Sequence, residues 1–159
     1  MSDKLESALR KQLVETLKGN SAHTSFDDAI AGLPVKLRGE KPKGFPHSPW
    51  MLVEHLRIAL WDILEFSRNK DHKSPKWPEG YWPKTVAPPD AKAWDKTIKK
   101  FRKDLKDLEA LAMKGDLTAK IPWGDGQTLL RQVLLAADHN AYHVAQIIDV
   151  RRLLGAWKG

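Results

Sequence analysis

Four long stretches of this chain carry apolar residues at every third or fourth position, and no stretch shows a convincing strand-like alternation. A period of three to four places the apolar side chains on one face of an α-helix. Each helix must bury that face against another element, and four helices of similar length do so by packing on one another. The sequence therefore predicts an all-α protein, a four-helix bundle that forms one domain over residues 1–159.

Local signals predict where the first helices begin and end. A first long helix is expected over residues 3–18, with Asp3 as its N-cap and Gly19 as its stop. Ser25 is the expected N-cap of a short helix that begins at Phe26. The buried stripe of the first helix is predicted to consist of Leu5, Leu9, Leu13 and Leu17.

The second long helix has the strongest start signal. Serine caps free amide groups, and proline at the first helical position gives up a hydrogen bond that was unavailable anyway, so Ser48 and Pro49 predict a helix over residues 49–68. Its apolar residues cover a wide arc, which predicts a central, heavily buried helix. His55 and Asp62 are its notable polar interruptions.

The rest of the chain is expected to form a long loop and two more helices. Five prolines between residues 72 and 89 exclude regular helix, and Trp77, Tyr81 and Trp82 predict an ordered loop that packs on the bundle and covers a pocket. A third long helix is expected from a cap at Asp90 to residue 114, and a fourth from a cap at Thr128 to residue 154.

Composition limits the function classes. The chain has no cysteine, which excludes disulfides, thiolate ligands and a cysteine nucleophile. The net charge of +7 raises the question of nucleic acid, but the lysines are interspersed with acids, as in the pair Lys103 and Asp107 at i,i+4. A solvated helix face explains this pattern better than a nucleic-acid site. With no membrane-length apolar run and no leader at its start, the sequence predicts a soluble, cytoplasmic protein.

His139 and His143 are the main candidate site residues. They are four positions apart on one predicted helix, so their rings are close enough for one metal ion to bridge them. Two polar core residues, each hydrogen-bonded to a neighbour, are the alternative, because H-x-x-x-H often occurs without metal. The apolar residues around them predict a buried position, where imidazoles without partners are costly.

His55 is the candidate third ligand. It has an interior position on the second long helix, and if that helix packs beside the last one, a divalent cation would satisfy all three imidazole lone pairs. A lone core histidine with a hydrogen-bond partner is the alternative.

Other polar residues are assigned lesser roles. Asp62, two turns after His55, is a possible fourth ligand, a partner that orients a ligand, or an acid/base group, and an ion pair with an arginine is the alternative. Gln146 is expected to orient a ligand ring or to pack between helices. His47 is expected at most at the rim of the pocket, and His23 and His72 are expected in solvent.

Several segments resemble the DinB-like superfamily, also called DinB/YfiT-like metalloenzymes, along nearly the whole chain. The similarity is carried by residues 137–147 (ADHNAYHVAQI), 151–157 (RRLLGAW), 48–50 (SPW), 54–56 (EHL), 80–83 (GYWP) and 129–131 (LLR). One departure is Ala145, where members commonly carry glycine, and it affects helix packing rather than a ligand.

The resemblance implies a fold and a chemistry. The fold is a bundle with up-down-down-up connectivity, often dimeric, that binds a divalent metal such as nickel or zinc through His55, His139 and His143. The resemblance also implies thiol-dependent chemistry, in which a low-molecular-weight thiol, such as bacillithiol or mycothiol, is activated on the metal for transfer or isomerisation. A homodimer is expected from the resemblance and from the wide apolar arc of the second long helix.

Two functional hypotheses follow. The first is a metal-dependent thiol S-transferase or isomerase acting on a small electrophile, with three histidine ligands and with Asp62 handling a proton. The second is a non-catalytic stress-response or binding bundle that holds a structural metal ion or none, with its basic surface on an acidic partner or nucleic acid. An open coordination position favours the first hypothesis, and a closed site favours the second.

Overall fold

The computed structural model describes residues 3–19 and 21–158, and α-helix is the main secondary structure of these residues. Five α-helices follow one another within them: α1 (Asp3–Lys18), α2 (Phe26–Ile30), α3 (Pro49–Arg68), α4 (Ala93–Lys114) and α5 (Leu129–Leu153). The described residues contain no strand, and a single antiparallel bridge joins Lys120 to Thr128. The prediction of an all-α helical bundle is confirmed.

The predicted caps are present at three helix starts. The side chains of Ser25, Ser48 and Thr128 each accept a hydrogen bond from a backbone N–H in the first turn of α2, α3 and α5. These bonds satisfy donors that a helix start leaves without intrahelical partners. The third long helix begins later than predicted, at Ala93, because Asp90 accepts from Lys92 N in a turn instead of capping the helix.

Helix α3 lies at the centre of the bundle, between α4 and α5, while α1 packs on α4 and α5 from the other side. The Thr97 hydroxyl donates to Glu54 at 2.6 Å near the starts of α4 and α3. Arg68 pairs with Asp107 at 3.1 Å nearer their ends, so these two helices run in the same direction. Trp123, just before α5, donates to the Phe66 carbonyl near the end of α3, so α5 runs against α3.

The core is continuous between the helices. Leu52, Leu56, Leu60 and Leu64 of α3 are at most 1 % exposed, and Phe101 and Leu108 of α4 are buried with them. The prediction for α1 is only partly correct, because Leu13 and Leu17 are buried but Leu5 is 58 % exposed. None of the helices in the part described is both long and apolar enough to cross a lipid bilayer.

Candidate metal centre

Helices α3 and α5 bring three histidines together. His55 Nε2 lies 3.1 Å from His139 Nε2 and 3.0 Å from His143 Nε2. The three rings offer ligand atoms that all lie within 4.8 Å of one another. Because α3 packs directly on α5, residues 84 and 88 positions apart in sequence share one small volume, as the sequence predicted.

Hydrogen bonds at the far side of two rings fix where their protons are. His55 Nδ1 donates to the backbone carbonyl of Tyr81 at 2.8 Å, and His143 Nδ1 donates to Gln146 Oε1 at 2.7 Å. A neutral imidazole carries one N–H, so both Nε2 atoms are lone-pair acceptors in the neutral protein. Two acceptors 3.0 Å apart repel each other unless a cation lies between or beside them.

His139 does not remove this conflict. An Nε2–H on His139 can donate to one neighbouring nitrogen, but its Nδ1 is buried and has no hydrogen-bond partner among the described residues. Burial, together with the other two rings, lowers the pKa of His139 to about 3, and burial and His55 lower the pKa of His143 to about 4. Burial also lowers the pKa of His55. At neutral pH, therefore, protonation of the triad is not the source of the missing positive charge.

The donor set fits a divalent metal ion. Three convergent imidazole nitrogens could bind zinc, nickel or a similar ion, and three protein ligands leave positions for other molecules. The hydrogen bonds from His55 to Tyr81 and from His143 to Gln146 are of the kind that orient histidine ligands and fix their tautomer.

An aromatic stack covers one side of the triad. The ring of Trp82 lies flat on His55, with centroids 4.0 Å apart and planes 5° from parallel. His47 stacks on Trp82 with centroids 4.1 Å apart. His47 is therefore at the rim of the site, as predicted, and Trp82 covers it. Trp77 was also predicted to cover the pocket, but it is 71 % exposed and contacts the edge of Tyr81, so this assignment was wrong.

A second polar cluster lies two turns further along α3. Asp62 is buried, and its Oδ1 accepts from His72 Nε2 at 2.7 Å while its Oδ2 accepts from the Tyr81 hydroxyl at 2.6 Å. Burial and the Asp62 carboxylate raise the pKa of Tyr81 to about 12, so this hydroxyl remains a donor at neutral pH. The cluster holds the loop residue whose carbonyl orients His55.

The position of His72 differs from the prediction. The sequence placed it in solvent, but only 5 % of its side chain is exposed, and its ring packs edge-on against Trp61. The signal that could have found it was Asp62 itself, since a carboxylate on a buried helix face needs donors. The polar residues of the following loop were the nearest source of them.

His23, Asn140 and Tyr142 lie outside the triad. His23 is exposed and contacts its neighbour's carbonyl, as expected. Tyr142 is 63 % exposed, while Asn140 is buried but faces α1 and α4 beside residues such as Leu17 and Leu105.

Comparison with known proteins identifies the family. The family model of the DinB superfamily matches residues 20–147, which is most of the chain and includes all three histidines. Neither the curated proteins nor the solved structures provide a match. The chain belongs to the DinB superfamily.

Proposed function

We propose that this DinB superfamily member is a metal-dependent enzyme that transfers a low-molecular-weight thiol to a small electrophile. His55, His139 and His143 are the proposed ligands of the metal, and zinc or nickel is the expected ion because imidazole suits both. The observation that supports the proposal most is the pair of Nε2 atoms 3.0 Å apart, both of which are acceptors when the opposite ring nitrogens donate to Tyr81 and Gln146, because a shared cation makes this arrangement favourable.

A bound divalent metal with an open position lowers the pKa of a thiol or a water molecule. That chemistry suits a chain without cysteine, which must obtain its sulfur nucleophile from a cosubstrate. In the overall reaction, the thiol S–H bond and the bond from the electrophilic carbon to its leaving group break, and a sulfur–carbon bond forms. The leaving group takes the electron pair of the broken carbon bond, and the thiol proton goes to that group or to solvent.

The protein's own residues hold and shield the ligands. Tyr81 and Gln146 keep the lone pairs of His55 and His143 pointing inward, and Trp82 keeps water from one face of His55. We assign Asp62 a positioning role through Tyr81, because both of its oxygens already accept hydrogen bonds. A cytoplasmic location and a homodimeric state remain predictions alongside this proposal.

Thiol consumption tests the activity. Protein stripped with a chelator is reloaded with zinc or nickel and incubated with a panel of low-molecular-weight thiols and small electrophiles. The proposal predicts that thiol disappears with metal-loaded protein and not with stripped protein. Of two matched variants, His143→Ala is expected to lose this activity, and His72→Ala is expected to retain it in its folded fraction. Equal rates with and without metal would contradict it.

A structural metal ion in a non-catalytic bundle is the second candidate. It is favoured by the stack of His47, Trp82 and His55, which closes one side of the triad. Cobalt substitution separates the two candidates, because a thiol that reaches the metal changes the visible spectrum of cobalt. A cobalt spectrum that no added thiol or small anion perturbs would favour the structural ion.

A further inference from the structure

A buried arginine in the last turn of α5 has no carboxylate partner among the described residues. Arg151 is 5 % exposed, and its guanidinium group donates to the backbone carbonyls of Ala29 and Ala156. It forms no ion pair with any residue that the structure describes. Burial lowers the pKa of Arg151, and no described acid opposes this shift. Buried charges usually have an opposite charge beside them, because their removal from water is costly.

The groups around Arg151 supply only part of the missing negative charge. The ring of Trp157 lies over the guanidinium group, with its centroid 4.9 Å from the central carbon. Backbone carbonyls and the face of an indole ring carry partial negative charge, so they stabilise the cation without supplying a full opposite charge. A guanidinium group has five N–H donors, and the hydrogen bonds to the two carbonyls use three of them. Two donors therefore remain for another acceptor.

Arg151 lies in the wall of an open cavity of about 770 Å³, between α2 with the turn that follows it and the C-terminal residues. Lys36 and Lys158 line the same cavity, and neither forms an ion pair with a described residue. Asp28 is the single acid among the described lining residues, and one of its oxygens accepts from the Ser25 hydroxyl at 2.7 Å. Three cationic side chains and one carboxylate thus face this space, which favours an anion inside it.

We propose that this cavity binds a small organic anion, whose carboxylate or phosphate group pairs with Arg151. The planar guanidinium fork matches the oxygens of both groups, and the flanking lysines add charge at the cavity wall. Trp157 and Leu37 provide an apolar wall for the rest of the ligand, and the volume is within the range of small-molecule sites.

The proposed anion site is separate from the metal centre. Arg151 lies just over two turns beyond His143 on α5, about 12 Å along the helix axis, and none of the three histidines lines the cavity. The inference therefore goes beyond the proposed activity and does not depend on it.

A titration followed by nuclear magnetic resonance tests the site. Inorganic phosphate and benzoate are added separately to the full chain, with chloride keeping the ionic strength constant, and the indole N–H signal of Trp157 is followed. Its signal is assigned by its loss in Trp157→Phe. Saturable shifts are expected, with a dissociation constant in the millimolar range or below. Tighter binding of benzoate would support a carboxylate ligand with an apolar body, and tighter binding of phosphate would support a phosphate ligand.

Lysine variants locate the bound anion without disturbing the core. Lys36→Gln and Lys158→Gln change exposed side chains, and each is expected to weaken anion binding about threefold. Lys99→Gln is the matched control, because it removes the same charge from an exposed position on α4 outside the cavity, and it is expected to leave the affinity unchanged. Arg151→Lys keeps the charge but loses the planar fork, and is expected to weaken binding about tenfold or more in protein that circular dichroism shows to be folded.

Two results would overturn the proposal. One is the absence of a saturable shift with both anions, which would leave Arg151 as a residue that only fastens the C-terminal segment to α2. The other is an equal effect of Lys99→Gln and the two cavity variants, which would assign the shifts to overall surface charge. Zinc binding is measured separately on the same proteins, so either result is distinguishable from a failure of the metal centre.

Discussion

Two buried polar clusters lie two turns apart on α3, and they differ in whether their members satisfy one another. Around Asp62, the carboxylate accepts from both His72 and Tyr81, so its hydrogen bonds are satisfied within the protein. Around His55, acceptor nitrogens face each other and His139 Nδ1 has no partner in the described part of the chain. A protein that needed only stability would gain from apolar side chains at the triad. The contrast supports a structural role for the first cluster, and the arrangement of the second is compatible with a bound cation.

The largest expected difference between the clusters is in metal binding. His139→Ala is expected to lower zinc affinity by more than about a hundredfold, beyond what losing an orienting residue costs, because one of three ligands is removed. His72→Ala, which removes a histidine of the other cluster, is expected to bind zinc nearly as well as the wild type. Isothermal titration calorimetry of chelator-treated protein measures the zinc affinity of both variants. Equal losses of affinity would contradict the assignment of metal binding to the histidine triad alone.

Stability is expected to respond in the opposite way. Asp62→Ala leaves His72 and the Tyr81 hydroxyl without their acceptor, and is expected to lower the free energy of unfolding by about 3 kcal/mol. His139→Ala is expected to leave the metal-free protein about as stable as the wild type, because it removes a ring whose buried Nδ1 has no hydrogen-bond partner among the described residues.

Urea denaturation measures both changes in stability. Asp107→Ala is the control for a lost carboxylate, since its pairs with Arg68 and Lys103 are exposed and worth below about 1 kcal/mol. A small effect of Asp62→Ala, similar to that of the control, would show that its cluster does not stabilise the fold.

The helix starts and the histidine triad could be predicted from the sequence. The helix starts follow from local capping by Ser25, Ser48 and Thr128, so the bounds of α3 were predictable to the residue. The triad was predictable because i,i+4 spacing places His139 beside His143, and the third histidine, His55, faces them if its helix is their neighbour.

The contacts that the sequence could not predict are made by a loop that folds back onto the bundle. The loop after α3 brings His72 back to Asp62 and lays Trp82 on His55, contacts that no helical period encodes. Loop residues of this composition are usually exposed. The only sequence feature that indicated a buried loop residue was Asp62, because a carboxylate on a buried helix face needs hydrogen-bond donors. Trp77 and Tyr81 have similar sequence surroundings, yet one is exposed and the other holds the site.

A smaller effect is expected from the residue that orients His143. Gln146→Leu removes the acceptor of His143 Nδ1–H and is expected to weaken zinc binding about tenfold, without a measurable change in unfolding free energy. Calorimetric titration checks the affinity. Unchanged affinity would mean that the hydrogen bond at 2.7 Å does not help to fix the ring.

The smallest expected effect is a dependence of stability on pH. In the metal-free protein, the folded-state pKa values of His139 and His143 are about 3 and about 4, below the ordinary value of 6.5. Between pH 6.5 and about 4 the unfolded chain binds more protons, so stability is fully present above pH 6.5 and falls as the pH decreases through this window. The expected loss is at least about 1 kcal/mol.

The variant His139→Ala provides the comparison for this pH effect. It is expected to show a shallower fall, because one of the lowered pKa values is gone and the remaining rings lose a neighbour. Urea denaturation at a series of pH values measures the slope, and identical slopes for both proteins would show that the triad is not its source.

X-ray absorption spectroscopy of zinc-reconstituted protein tests the central claim most directly. One zinc ion per chain is expected, with three imidazole nitrogens at about 2.0–2.1 Å and at least one further light ligand from solvent. A spectrum with fewer than two imidazoles, or a protein that retains no zinc after gel filtration, would contradict it.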